Sequence, residues 1–232
     1  MVVKGVFFDV YGTLLVLTDA ERAWADWSVA FYETFRRYGL DWDRDAFLSQ
    51  CLSLFDAPAP ALPEAGLTLY ETRIMRFGEG IGFRKGMDCV RETAACTVNA
   101  WHQYVVIDPD AISVLERLRE DRTLAVVSNF DHPQYLRSVL EEMGLTPFFS
   151  SIVISGEVGI EKPKAEIFRI ALQQTGLFPH EVVHVGDSTE DVAGATAAGC
   201  QAVQILRDGN AAPAETPPAR VILRLTELIH IL

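Results

Sequence analysis

The sequence predicts an α/β fold: a parallel sheet with helices on both faces, interrupted by an inserted all-helical domain. Three observations carry that expectation. Beyond residue 110, short apolar runs alternate with amphipathic segments, the pattern of successive βαβ units. A further apolar run opens the chain, and since an isolated strand cannot bury itself, it belongs beside the later ones. The long stretch between them shows helical periodicity and no convincing buried strand.

In chain order, Val2, Val3, Val6, Phe7 and Phe8 read as a buried strand with Asp9 at its end. The stretch "TDAERAWADWSVAFYETFRRYGL" sets Trp24, Trp27, Phe31 and Phe35 at steps of three and four, one apolar helix face packed in a core. Thr18 with Glu21 is a capping box at its start, and Gly39 its stop. "DAPAPALPEAG" is a Pro/Ala-rich loop, with helices expected around 67–77 and 87–104. "AISVLERLRE" is then a helix, "TLAVVSNF" a buried strand, and "PQYLRSVLEEMG" a helix closed by Gly144. "FFSSIVIS" is a strand, "AEIFRIALQQTG" a helix ended by Gly176, and "EVVHVGDS" a strand. "EDVAGATAAG" is a helix and "QAVQIL" the last strand, with "RDGNAAPAETPPAR" a loop before a final helix from about Leu223. The core is therefore expected to comprise 1–15 and 105–232, and the insert 16–104. Ligands of open α/β sheets bind outside the carboxyl ends of the strands, so an insert leaving the first strand there is expected to cover the site as a cap.

Composition narrows the function classes. An apolar content of 49% suits a globular protein, and no run approaches the roughly eighteen apolar residues of a membrane span. A single Lys4 precedes only a short apolar stretch and no small-residue cleavage site follows cleanly, so no signal peptide is expected. Cys51, Cys89, Cys96 and Cys200 form no C-x-x-C pair and read as reduced, mostly buried thiols, which suits a cytoplasmic protein. A net charge of −12 argues against nucleic acid but leaves a small anionic substrate open, because one lysine or one metal ion supplies the positive charge such a site needs. The chain is expected as a monomer or homodimer.

Four polar clusters fall at the carboxyl ends of expected strands: Asp9 with Tyr11 and Thr13, Ser128 with Asn129, Lys162, and Asp187 with Asp191. A carboxylate fixed there can attack an electrophilic centre and carry a covalent intermediate. Phosphoryl transfer needs several negative charges held in place, which Lys162 would balance, while Thr13, Ser128 and backbone N–H groups would bind non-bridging oxygens. Asp9 and Asp187 offer the hard, oxygen-only donors that suit Mg²⁺. Glycines at 12 and 186 allow close backbone approach.

"DVYGTL", "VVSNF", "EKPKAEIF" and "VGDSTEDVAGATAAG" resemble, in order and spacing, the four motifs of the haloacid dehalogenase-like (HAD) hydrolase superfamily. The resemblance covers roughly residues 3–15 and 105–207. It implies a Rossmann-like core with a helical cap of the first type, inserted after the first motif. It also implies a hydrolase using Mg²⁺, with Asp9 as nucleophile, Lys162 as the charge-balancing lysine and Asp191 as a supporting acid near the metal. Ser128, Asn129, Gly12 and Lys162 are the expected substrate contacts. The implied metal ligands are Asp9, Asp187 and the backbone carbonyl of Tyr11.

Tyr11 departs from the pattern. Most phosphatases of this superfamily carry a second Asp there as general acid and base, and a phenol with a pKa near 10 is a poor base at neutral pH. General acid–base catalysis contributes about 10²–10⁴ in rate, which an alkoxide leaving group feels fully and a halide or phenolate hardly at all. Tyr at this place resembles the 2-haloacid dehalogenases. Those enzymes, however, use no metal and have Ser where Asp187 stands, with a cap arginine where Leu40 stands. A phosphonoacetaldehyde hydrolase would need a cap lysine near Gln50, whereas the cap's lysine is Lys85. The expected function is a Mg²⁺-dependent phosphatase acting on a small phosphorylated metabolite. A halide-releasing dehalogenase is the first alternative, and a binding or regulatory protein of low activity the second.

Overall fold

A computed structural model describes residues 2–51, 53–56, 60, 62–207 and 217–232. Parts of two expected loops, residues 57–59 with 61 and residues 208–216, lie outside the described residues. The chain separates into two compact units, Met1–Val16 with Val106–Leu232, and Leu17–Val105.

The first unit is built on a six-stranded parallel sheet flanked by helices, a Rossmann-like α/β architecture. Its strands are β1 (Gly5–Phe8), β4 (Thr123–Ser128), β5 (Ser151–Ile154), β6 (Val182–Gly186), β7 (Gln201–Ile205) and β8 (Arg220–Ile222). Two short strands, β2 (Leu15–Leu17) and β3 (Val105–Ile107), pair separately where the chain leaves and re-enters this unit. Sheet order is β5-β4-β1-β6-β7-β8, with Phe7 level with Ala125 on one side and His184 on the other. Strand order therefore reverses between β1 and β6, and the crevice outside their carboxyl ends is the topological switch point where such sheets bind ligands. The middle strands are buried on both faces, which is why they read as unbroken apolar runs. On one face Phe7, Ala125 and Val127 pack against Ile167, Phe168 and Val192 from the helices Ala165–Thr175 and Thr189–Ala197.

Several expectations need correction. Val2 is 77% exposed, and the buried strand begins at Gly5. "FFSSIVIS" yields a strand only over Ser151–Ile154, because Thr146–Phe148 closes a 3₁₀ turn and Ser155–Val158 a short helix. "QAVQIL" is not the last strand, since β8 adds to it in parallel. Its three residues are mostly exposed and show no apolar period. The C-terminal helix spans Leu228–Ile231, after a 3₁₀ turn at Leu225–Glu227.

The second unit is helical among its described residues: Ala20–Arg37, Arg44–Cys51, Ser53–Asp56, Leu69–Gly80 and Met87–His102, apart from the linking strand residues. Helix Ala20–Arg37 buries Trp27, Phe31 and Phe35, whereas Trp24, expected on the same buried face, is 38% exposed. Phe31 sits edge-on to Phe35 at 4.8 Å and to Phe47 at 5.3 Å. Full burial of one such ring stabilises by about 1.5–3 kcal/mol. The cap of this helix is Asp19, whose carboxylate accepts from the Arg22 amide. Thr18, expected as the cap, instead donates to the Tyr104 carbonyl. A Thr-x-x-Glu box does form at Thr68 and Glu71, at the start of Leu69–Gly80. No helix among the described residues is long and apolar enough to cross a membrane.

Candidate active site

Asp9 directly follows strand β1, and its amide donates to the Val185 carbonyl of β6, which fixes its backbone at the switch point. The following turn folds back on itself: the Thr13, Leu14 and Leu15 amides all donate to the Val10 carbonyl. Gly12 takes φ +82° there, and a side-chain carbon at this residue would run into the Asp187 carboxylate. Gly186 plays the same part for Asp191, whose carboxyl group occupies the space a side chain would fill. Two glycines thus admit two carboxylates.

The charged groups form one buried network. Lys162 Nζ lies 2.8 Å from Asp9 Oδ1 and 2.6 Å from Asp191 Oδ1. Asp191 Oδ1 is also 2.7 Å from His184 Nε2, while Asp191 Oδ2 accepts from Ser188 Oγ at 2.6 Å and from the Ser188 amide. Burial works against the Lys162 ammonium, but Asp191 and Asp9 outweigh it and raise its pKa above the ordinary lysine value. For Asp191, burial pushes up while Lys162 and then His184 pull harder, holding the carboxyl below its usual range. Burial dominates at Asp9 and raises it, against the pull of Lys162 and of a hydrogen bond with Ser128. Burial and the charges of Asp9 and Asp191 push Asp187 up to about 7.

That last shift marks an excess of negative charge. Carboxylate oxygens of Asp9, Asp187 and Asp191 lie within 4.8 Å of one another, with one ammonium among them. Both Asp191 oxygens are already engaged, which leaves Asp9 and Asp187 as donors with capacity for a cation. An oxygen-only set with surplus negative charge fits a hard divalent ion.

Each expected residue can now be placed. Asp9, Thr13, Ser128, Lys162 and Asp191 are buried, and Asp187 is half-buried beside them. The Thr13 hydroxyl has no hydrogen-bond partner among the described residues. Tyr11 stacks on Phe130 at 5.2 Å, and burial, then Tyr135 and Asp9, raise its phenol well above the ordinary value. The Gly12 amide donates to the Leu15 carbonyl, and the Gly12 carbonyl accepts from Arg207 Nε. The Asn129 side chain grips the Lys162 backbone, donating to its carbonyl at 3.0 Å and accepting from its amide at 2.8 Å. Asn129 thereby aims the lysine.

Sequence reasoning missed two residues. Arg207, just past β7, donates from Nε to Gly12 O at 3.1 Å and from Nη2 to Thr13 O at 2.6 Å, and pairs through Nη1 with buried Asp108 at 2.7 Å. His184 is fully buried in β6 against Asp191. Only a polar residue in an otherwise apolar strand hinted at the latter. In the helical unit, Arg36 lies over the Tyr32 ring and Arg37 pairs with Glu92 at 2.6 Å.

A family model described as a haloacid dehalogenase-like hydrolase matches residues 3–199. The chain belongs to that family. This HAD hydrolase is 37% identical over 131 residues to a glyceraldehyde 3-phosphate phosphatase of Methanopyrus kandleri, an alignment covering 53% of this chain and 55% of that one. It spans little more than half the length of the first curated relatives it matches. A pyrimidine 5'-nucleotidase of Escherichia coli, YjjG, is 28% identical over 98% of this chain and 96% of its own. Among solved structures, a 2-haloacid dehalogenase of Pseudomonas syringae superposes with a TM-score of 0.71 at 24% identity, covering 99% of this chain and 97% of that one. That likeness is one of fold.

Proposed function

We propose that this HAD hydrolase is a Mg²⁺-dependent phosphatase of a small phosphorylated metabolite, working in the cytoplasm through an aspartyl-phosphate on Asp9. The observation that carries the reading is the facing pair Asp9 and Asp187, both oxygen donors with charge to spare. A metal-free halide displacement has no use for the second carboxylate, which would only repel the first. The named activities of the glyceraldehyde 3-phosphate phosphatase and the pyrimidine 5'-nucleotidase support the same substrate class.

In this reading an Asp9 oxygen attacks phosphorus, and the bond from phosphorus to the ester oxygen breaks, that oxygen leaving with the electron pair and taking a proton from water. Water then attacks the phosphorus of the aspartyl-phosphate, releasing inorganic phosphate and restoring the carboxylate. Lys162 balances charge on Asp9 and on the transferring group, and Ser128 holds the nucleophile and a non-bridging oxygen. Mg²⁺ held by Asp9, Asp187 and the Tyr11 carbonyl would neutralise phosphoryl charge as a Lewis acid. Tyr11 itself stays a neutral phenol, so leaving groups that depart without a proton are favoured.

A panel of small alkyl and aryl phosphomonoesters tests the proposal. Phosphate release that needs Mg²⁺ and stops with chelator supports it. Tyr11 favours the dehalogenase as a second reading, and chloride release from 2-chloropropionate indifferent to chelator would replace the first. Absence of both activities would leave a binding role.

A further inference from the structure

We propose that His184 is a positioning residue that holds Asp191, and through it keeps the Lys162 ammonium on Asp9. The proposal rests on Asp9 being the nucleophile of a phosphatase. Strand β6 reads Val-Val-His-Val-Gly, and its third residue faces the same way as Phe7, towards the helix Ala165–Thr175. An aliphatic side chain would fill that position with nothing left to satisfy. An imidazole stands there instead, wholly removed from water, with the Phe168 ring edge-on at 4.8 Å. Removing a polar ring from water costs free energy unless it is hydrogen-bonded. Its bond is the 2.7 Å contact from Nε2 to Asp191 Oδ1. Asp191 is held ionised by Lys162 and His184, so Nε2 carries the proton and donates.

The consequence is geometric. Asp191 is gripped at both oxygens from two different elements: Ser188, ahead of the helix Thr189–Ala197, takes Oδ2, and His184 on β6 takes Oδ1. The carboxylate therefore cannot rotate, and Oδ1 presents one fixed direction to Lys162 at 2.6 Å. That direction sets where Nζ stands relative to Asp9, 2.8 Å away. With His184 gone, Ser188 would still hold Oδ2 but Oδ1 would be held only by the movable Lys162 ammonium, so the two could shift together away from the nucleophile. A displacement of about 1 Å at a reacting group costs on the order of 10²-fold in rate. His184 acts through Asp191 and Lys162 and touches no reacting atom.

His184→Met and His184→Gln have similar volume and differ in the donor that can reach Asp191. The proposal expects His184→Met to lower kcat by about 10–100-fold with KM within about twofold, as the loss of outer partners does elsewhere. His184→Gln should recover kcat to within about threefold of wild type, with both variants normalised to folded protein by circular dichroism. Were the residue only packing, Met would serve at least as well as Gln, and equal kcat in the two would overturn the proposal. If either variant fails to fold, the wild-type protein decides: nitrogen-15 NMR of the His184 ring should show the proton on Nε2, and a bare Nε2 would overturn it. A wild-type enzyme that releases no phosphate from any ester would sink the phosphatase reading itself. An active wild type with matching Met and Gln variants would sink only the role of His184.

Discussion

In the helical unit the groups removed from water are mostly rings and hydroxyls, some paired across helices, as Trp27 Nε1 is with the Tyr70 hydroxyl, and others one helical turn away. Thr34 donates to the Ala30 carbonyl and Thr93 to the Cys89 carbonyl, and Phe31, Phe35 and Phe47 are buried in the same unit. Around the carboxyl ends of β1 and β6 the buried groups are Asp9, Lys162, His184 and Asp191, and they are charged or ring-nitrogen groups that meet one another across different elements, Lys162 reaching both Asp9 and Asp191. Neutral groups satisfied within their own helix are inexpensive to bury. Buried ion pairs give little net stability, and a well-packed apolar substitute often does as well. Under the proposed function the network at this crevice serves chemistry rather than stability.

The sharpest way to break this contrast is Lys162→Met. It leaves Asp9 and Asp191 facing each other without their shared cation, which should cost about 3–5 kcal/mol of stability, read as a lower urea midpoint, and reduce turnover below detection. Wild-type kcat would refute the network's role. Phe31→Ala should cost a similar 3–5 kcal/mol through a cavity in the helical unit. Its kcat per folded molecule, however, should stay within about threefold of wild type. An equal collapse of both quantities would erase the division between the units.

Tyr11→Asp should raise kcat for alkyl phosphates by about 10–100-fold by restoring an acid–base group, and for aryl phosphates by less than threefold. Equal gains for both esters would remove the leaving-group argument. Arg207→Met should lower kcat by only about tenfold, because charge-assisted bonds to Gly12 and Thr13 are lost while the turn keeps its own bonds to Val10. An unchanged kcat would make Arg207 a matter of stability alone.

Much of the fold was legible because its elements are long enough to show a period: buried strands as apolar runs, helices as three-and-four spacing. β8 was not, since three mostly exposed residues carry no period. The helix-start error at Thr18 came from two adjacent residues that can both cap, and Asp19 won. Around the candidate site, Asp9 and Asp187 stood out because each directly follows an apolar strand, and Ser128 because it ends one. Arg207 was invisible because its partners Gly12 and Thr13 are 195 and 194 residues away, and no local pattern encodes a contact of that span. The engagement of the Asn129 side chain with the Lys162 backbone, and of Gly12 with Leu15 and Arg207, was not legible. Composition names a polar group, and geometry alone shows whether that group is already engaged.

The central claim is a transient bond between phosphorus and the carboxylate at position 9. Rapid acid quench during turnover of an aryl phosphate, followed by tandem mass spectrometry, reads it directly. The account predicts a phosphoryl group on Asp9 in wild type and none on the Asp9→Asn chain. Label on another residue, or steady turnover with position 9 never modified, would contradict it.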